Sequence, residues 1–403
     1  MAVFDVAVAG GGLAGQIAAL AFAKHGFSTV LIAPDDGRTD QRTTALMDHS
    51  IGFLAALGIW DRVKPEAAAL STMQIIDATE RLLHAPPVTF RAAEIGLEAF
   101  GYNIPNAPFL AILSEALGEL ANVTVLATSV ERADLSGEKA MLHLADGTEV
   151  TAGLVIAADG RKSLIRDAAG IDAKSHAYPQ TAVVLNFTHG RPHNNISTEF
   201  HTRTGPFTQV PLPGQRSSLV WAVKPEEAVE ILQLPPETLN RRIEDRMQSI
   251  LGKVTVEGGA QAWPLSAATA TRFGKGQVAL IGEAAHVFPP IGAQGLNLSL
   301  RDIESALELA LAAQKSGTSL AIGDAYDRKR RADIWSRTAA IDLLNRSLLS
   351  GFLPVQMLRA AGMHMLSAIP PLRYLAMHEG VAPGRGFKSF PDFLRKEIWR
   401  KRA

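Results

Sequence analysis

A chain of 403 residues, 47% hydrophobic and 20% charged, has material for two domains and a large core. Its 40 basic and 40 acidic side chains cancel, so no global field draws it to nucleic acid. Cysteine is absent, which excludes disulfides, thiolate metal ligands, a thiol nucleophile and cysteine-linked cofactors.

The first residues run directly into strand pattern, so no secretory signal is expected. Val3–Ala9 reads as a buried parallel strand, Leu13–His25 as an alanine-rich helix stopped by Gly26, and Ser28–Ala33 as a second strand. After the polar stretch Pro34–Gln41, Thr43–Leu57 has helical periodicity. Met73–Ala78 and Leu82–Phe90 read as strands of another sheet. Phe109–Leu120 is helical, Val123–Ala127 and Ala140–Leu144 are strands, and Leu154–Ala158 is again a buried strand.

From Ala182 to Pro264 strands such as Val183–Thr188 and Ser217–Val223 recur between Pro and Gly turns, interrupted by one helix, Pro236–Leu251. Val278–Ile281 resumes the buried-strand pattern, Gly295–Gln314 is a long helix, and the remainder is mostly helical. The apolar stretches Ser347–Leu358 and Ala360–Leu372 are too short to span a bilayer. A soluble or peripherally attached, cytoplasmic protein is expected.

The fold class is α/β. A Rossmann-like nucleotide-binding domain is assembled from separated segments, 1–72, 100–176 and 264–330. A mostly antiparallel β-sheet substrate domain, 73–99 and 177–263, is inserted. A helical C-terminal region with a basic tail, 331–403, follows.

Three motifs carry the chemistry. In the first, Gly10, Gly12 and Gly15 stand between strand and helix. Gly10 permits the tight turn, Gly12 lets a phosphate approach, Gly15 lets helix and strand pack, and the helix N-terminus stabilises a pyrophosphate. Ala33-Pro34 stands where an acidic residue should hold the ribose; Asp35 or Asp36 reaching back and two solvated loop acids are equal readings.

The second motif, LVIAADGRKSLIRDAAG, runs a buried strand into Asp159-Gly160, then Ser163 and Arg166 on a short helix. An ordinary turn explains Asp-Gly but not the added Ser and Arg. The third, GQVALIGEAAHVFPPIGAQGLNLSLRDIESALE, presents Gly292, Gly295 and Asn297 at a helix start, which suits anionic charge such as that of a reduced flavin. His286 reads as an orienting partner rather than a base. No GxSxG elbow, GxxxxGK[ST] loop or HExxH occurs, and no metal site is expected.

Taken in this order, the glycine turn, the DG and GE-AAH-PP-GAQGLN resemble the FAD-dependent aromatic hydroxylases of the para-hydroxybenzoate hydroxylase type, over about 330 residues. DQRTTAL (Asp40–Leu46), GYNIPN (Gly101–Asn106) and PPIGAQGLNLSLRD (Pro289–Asp302) resemble the ubiquinone-biosynthesis branch. The resemblance implies a monooxygenase that binds FAD and uses NAD(P)H and O2. It would hydroxylate a polyprenyl phenol or benzoquinol through a flavin C4a-hydroperoxide, with no catalytic side chain. It implies FAD contacts from Gly10, Gly12, Leu13, Ala14, Gly15, Asp35, Arg42 and Asp159. The third motif would add Gly282, Glu283, Pro290, Gly292, Gln294, Gly295, Leu296 and Asn297.

Ala33, Glu283 in place of the usual Asp, and Ala107 in place of Arg depart from the family pattern. The alternatives are a soluble-phenol hydroxylase on the same fold, or a redox-silent lipid-binding scaffold subunit of the pathway. The tail Gly384–Ala403 has seven basic and two acidic residues among bulky apolar ones. It suits an anionic membrane surface, a partner among other ubiquinone-biosynthesis proteins, or solvent.

Overall fold

The computed structural model describes residues 2–34, 37, 40–79, 86–289, 294–335, 364, 374 and 377. Ala2–Ala9 forms a strand parallel to both Thr29–Ile32 and Glu149–Ala157. Val278–Leu280 extends the sheet in parallel beyond Glu149–Ala157, and Val123–Leu126 does so beyond Thr29–Ile32. The apolar run of each of the four inner strands reflects burial on both faces. Val6–Ala9, Val30–Ile32, Leu154–Ala157 and Val278–Leu280 are all buried.

Helix Leu13–Lys24 lies on this sheet with Ile17 through Ala23 buried. It also packs against helices Asn106–Gly118 and Gln294–Ser316. Alanines let three helices and a sheet meet closely, so the first glycine turn is built on a rigid base. Because the parallel strands run the same way, Ala9, Ala157 and Leu280 end at one edge. The three motifs follow those strand ends, where open α/β sheets hold ligands.

A second eight-stranded sheet has the order His286–Val287, Val254–Ala270, Ala173–His189, Arg216–Val223, Gly205–Leu212, Ile196–Thr202, Thr72–Asp77, Val88–Arg91. It is antiparallel except where Ile196–Thr202 pairs with Thr72–Asp77. The two 17-residue strands Ala173–His189 and Val254–Ala270 pair from Ala173 opposite Ala270 to His189 opposite Val254. They form one ribbon from the nucleotide-binding half into the second sheet, so residues 177 and 263 fall inside a ladder.

A small sheet of Thr43–Met47, Gly101–Pro105 and Ala68–Ala69 sits between the halves. Thr43 Oγ1 donates to Ser218 Oγ (3.0 Å), and Asn103 Nδ2 donates to the Pro211 carbonyl (2.9 Å).

Three local expectations differ. Thr43–Leu57 is not one helix, because Thr43–Met47 is a strand and only Asp48–Ala56 is helical. The β-branched Thr43 and Thr44 and a ladder to Gly101–Pro105 outweigh the helical period. A Cβ at Gly101 would sit 2.1 Å from the Leu46 carbonyl oxygen, which is why that close approach takes glycine. Two helices, Pro225–Gln233 and Pro236–Arg246, stand where one was expected, each opened by a proline in its first turn. Of the expected strand Leu82–Phe90, Val88–Arg91 is the strand, and residues 80–85 lie outside the described residues.

Candidate functional site

The glycine turn follows Ala9. Gly10 takes φ +118°, and a Cβ there would lie 2.2 Å from the Ala158 carbonyl oxygen. A Cβ on Gly15 would lie 1.9 Å from the Gly10 carbonyl oxygen. Both positions are therefore closed by backbone. Gly12 is the opposite case: it caps the helix in extended conformation with no side-chain cap, and a Cβ there meets nothing within 4 Å. The first-turn N–H groups, at Leu13, Ala14 and Gly15, have no intrahelical partner. Open space above unpaired donors and a positive helix end fits a pyrophosphate. This cradle is the observation by which the residues fit FAD.

The second motif stands beside it. Asp159 is largely buried; its Oδ2 accepts from the Ile165 N–H (3.2 Å), while Oδ1 has no partner among the described residues. Burial raises the Asp159 pKa, with hydrogen bonds from Ser163 and the backbone opposing it. Ser163 caps the short helix Leu164–Ala168, accepting from the Arg166 N–H (3.0 Å). The buried Arg166 donates to the Arg161 and Ala284 carbonyls (3.1 and 3.2 Å), tying this loop to the third motif.

In the third motif Gly282 takes φ +58°, and a Cβ there would lie 3.5 Å from Ala14 Cβ, so first and third motifs touch. Glu283 pairs with Arg161 (3.2 and 3.3 Å), both half-exposed. Arg42 is held by both oxygens of Asp40 (2.9 and 2.8 Å) and lies 5.2 Å from the Trp263 ring centroid. The Asp40 hydrogen bond raises the Arg42 pKa, and the Glu283 charge adds to it. Burial opposes ionisation of Asp40, yet bonds from Arg42 and Asn106 hold its pKa below the ordinary value. Asp40, Arg42, Arg161 and Glu283 thus form a charge-balanced rim.

Behind the rim, Asp302 on the long helix is fully buried. Its Oδ2 accepts from His286 Nε2 (2.7 Å) and the Gly282 N–H (3.3 Å), and its Oδ1 accepts from Arg330 (2.8 Å). His286 is buried and its Nε2 is engaged by Asp302. Asn297 Nδ2 donates to the Ala45 carbonyl (2.7 Å), while its Oδ1 accepts from Met47 N–H and Ser50 Oγ. Its side chain fixes the small sheet to the long helix. Gly295 and Leu296 lie in its first turn, as does the backbone of Gln294.

Gly10, Gly12, Leu13, Ala14, Gly15, Asp159, Gly282 and Glu283 are thus brought to one strand edge, with Arg42 at the rim. Asp35, Pro290 and Gly292 lie outside the described residues. Sequence reasoning did not single out Arg161, Trp263, Asp302 or Arg330. Arg161 had a signal, a cation directly after Asp159-Gly160; the other three are joined to the site by tertiary packing. Among the described residues no group of three His, Asp or Glu side chains is placed to hold a metal.

The FAD binding domain family model matches residues 3–340. Ubiquinone hydroxylase UbiL of Rhodospirillum rubrum is 32% identical over 392 residues, covering 94% of this chain and 90% of that protein. The 3-demethoxyubiquinol 3-hydroxylase of Escherichia coli is 29% identical over 370 residues, 89% of this chain and 93% of that protein. The solved p-nitrophenol 4-monooxygenase PnpA from Pseudomonas putida aligns with a TM-score of 0.79 at 20% identity, covering 96% of this chain and 100% of that one. With its nucleotide cradle, three-motif strand edge and this span of likeness, the chain belongs to the FAD-binding domain family of flavin-dependent monooxygenases.

Proposed function

We propose that the chain hydroxylates the aromatic ring of a polyprenyl phenol or benzoquinol in ubiquinone biosynthesis, with NAD(P)H and O2 as co-substrates. The observation that carries this reading is the 32% identity to a ubiquinone hydroxylase along 94% of the chain. FAD, when bound, stores two electrons from NAD(P)H and activates dioxygen.

The chain's own residues bind, orient and exclude water. The N–H groups around Gly12 would hold the pyrophosphate. Asp159, held by the Ile165 N–H, and Glu283, held by Arg161, would offer acceptors to ribose and ribityl hydroxyls. In this reading the second sheet is the roof of the cleft, supported by its apolar cluster of Tyr178, Ala182, Ala222 and Leu265 with Val184 and Val220 packed against it. Such a surface dries the reaction space and suits a hydrophobic ring.

A polyprenyl substrate must be met at a membrane or handed over by a partner of the same pathway. Among the described residues no helix is long and apolar enough to cross a bilayer. Peripheral contact of a cytoplasmic protein with an anionic membrane surface is part of this proposal, through the basic tail Gly384–Ala403, which lies outside the described residues.

Quinone profiling of a deletion strain, complemented with the intact gene, tests the reading. Accumulation of a prenylated precursor lacking one ring hydroxyl is expected. An unchanged quinone pool in a strain with no second hydroxylase overturns it.

A further inference from the structure

The roof sheet has two faces. Val183, Leu185, Phe207 and Trp221 pack beneath helices Pro225–Gln233 and Pro236–Arg246. Neighbouring strand residues alternate, so Ala182, Val184, Val220 and Ala222 point the other way, where they cluster with Tyr178 and Leu265. Asn186 and Ser218 share this inner face. Asn186 donates to the Gln41 carbonyl (3.1 Å) and Ser218 Oγ accepts from Asn103 (3.3 Å), both partners belonging to the FAD-binding half. The inner face is therefore the one turned toward the cleft.

Register continues that face into a carboxylate. Val184 stands opposite Val220, Val220 opposite Thr208, and Thr208 opposite Glu199. Glu199 Oε1 lies 2.8 Å from His201 Nε2, and Thr208 Oγ1 donates to Oε2 (3.3 Å). The His201 side chain is 9% exposed, and its Nδ1 is buried without a partner among the described residues. Glu199 keeps 26% of its side chain exposed. Setting a carboxylate and an imidazole into an apolar sheet face costs stability. Valine or threonine would complete the row at no such cost, which points to use by a ligand.

We propose that Glu199 is the hydrogen-bond and proton acceptor for the phenolic hydroxyl of the substrate, with His201 and Thr208 as positioning residues. The inference rests on the phenol reading above. As oxygen is added, the ring loses electron density and its hydroxyl proton becomes strongly acidic. The phenol O–H bond breaks, its electron pair stays on the ring oxygen as that oxygen becomes a carbonyl, and the proton moves to Glu199. The oxygen atom comes from the O2-dependent reaction already assigned. An ionised carboxylate only accepts hydrogen bonds, so the site also selects a free hydroxyl over an ether. His201, holding its Nε2–H toward Oε1, and Thr208, on Oε2, fix the direction in which Glu199 presents its lone pairs.

The test uses FAD-loaded full-length protein with 2-geranylphenol and its methyl ether, titrated by the change in flavin absorbance. Wild type should bind the phenol about tenfold or more tighter than the ether. Glu199→Ala should bring the two within about twofold of each other and slow single-turnover hydroxylation by about 10²–10⁴, with FAD content unchanged. Glu199→Gln keeps the volume and turns an N–H toward the ligand, so it should lose or invert the preference even if Glu199→Ala folds poorly. His201→Gln, which keeps a donor, should retain more of the preference than His201→Phe. A phenol-to-ether ratio in both Glu199 variants equal to that of wild type overturns the inference and leaves the phenol reading standing. Wild type that binds neither compound overturns the phenol reading, and this inference with it.

Discussion

Arg161 and Glu283 meet across the mouth of the cofactor cleft, Nε to Oε2 at 3.2 Å and Nη2 to Oε1 at 3.3 Å, joining the second motif to the third. Glutamate carries one methylene more than the aspartate usual here, and that length is compatible with the pairing. Both side chains are nearly half exposed, so the pair contributes less than about 1 kcal/mol to stability. In the proposed site the pair aims the Glu283 carboxylate at the cofactor. Glu283→Ala should therefore weaken FAD binding by about tenfold, the worth of one charged hydrogen bond, with little change in Tm. Glu283→Asp should weaken it less. Flavin titration of both variants checks this; equal, unimpaired affinity in both would mean that backbone groups alone hold the cofactor.

Gly12 and Gly10 should fail differently. A side chain at Gly12 enters open space in the protein, so Gly12→Val should leave the fold intact and abolish FAD loading by occupying the phosphate position. At Gly10 a Cβ meets the Ala158 carbonyl at 2.2 Å in a left-handed conformation, so Gly10→Ala should destabilise the protein itself by about 1–3 kcal/mol. Thermal melts of apoprotein beside flavin content separate the two. Equal melting losses in both variants would contradict the distinction.

How much of this was legible follows from the range of the interactions involved. Gly10, Gly12 and Gly15 announce themselves because the constraint is local: a strand, a tight turn and a helix start lie within a few residues. Asp159 and Ser163 are legible for the same reason. The Thr43–Met47 strand was not, since its pairing partner, Gly101–Pro105, lies nearly sixty residues away and its own period favours a helix. Asp302 was quoted as part of a motif without a role, because its donors Gly282, His286 and Arg330 stand 20, 16 and 28 residues away along the chain. Glu199 gave no signal at all. Only the register of four strands puts it on the inner face.

The Asp302 cluster yields a test of what holds the third motif. Its carboxylate is completely buried and pairs with Arg330 and His286. Asp302→Ala would leave the buried Arg330 guanidinium with only the partly exposed Asp333 as its anion, a loss of about 3 kcal/mol. It would also free the Gly282 N–H that fixes the turn before Glu283. Chemical denaturation should report the stability loss, and FAD affinity should fall with it. A double variant, Asp302→Leu with Arg330→Met, should recover stability but not FAD affinity, because the Gly282 bond stays lost. Recovery of both would reduce Asp302 to a packing role.

Asp159 should trade stability against binding. Burial raises its folded-state pKa above the ordinary 3.8, so the stability linked to this group is fully present below the unfolded pKa. That contribution is lost as pH rises through the folded pKa. At neutral pH the buried carboxylate is a net cost to the apoprotein; in the proposed site its Oδ1, without a partner among the described residues, accepts from the cofactor. Asp159→Asn removes the titration while keeping an oxygen for the Ile165 N–H. The apoprotein variant should melt higher than wild type at pH 7, and the gap should close as pH falls toward 4. FAD affinity should drop by about 10- to 100-fold, as expected for a charged acceptor replaced by a neutral one. Melting curves of apoprotein across that pH range, paired with flavin titration at pH 7, check both halves. An Asn variant less stable than wild type at neutral pH would show that the ionised carboxylate is stabilised by its loop, and the trade would not exist.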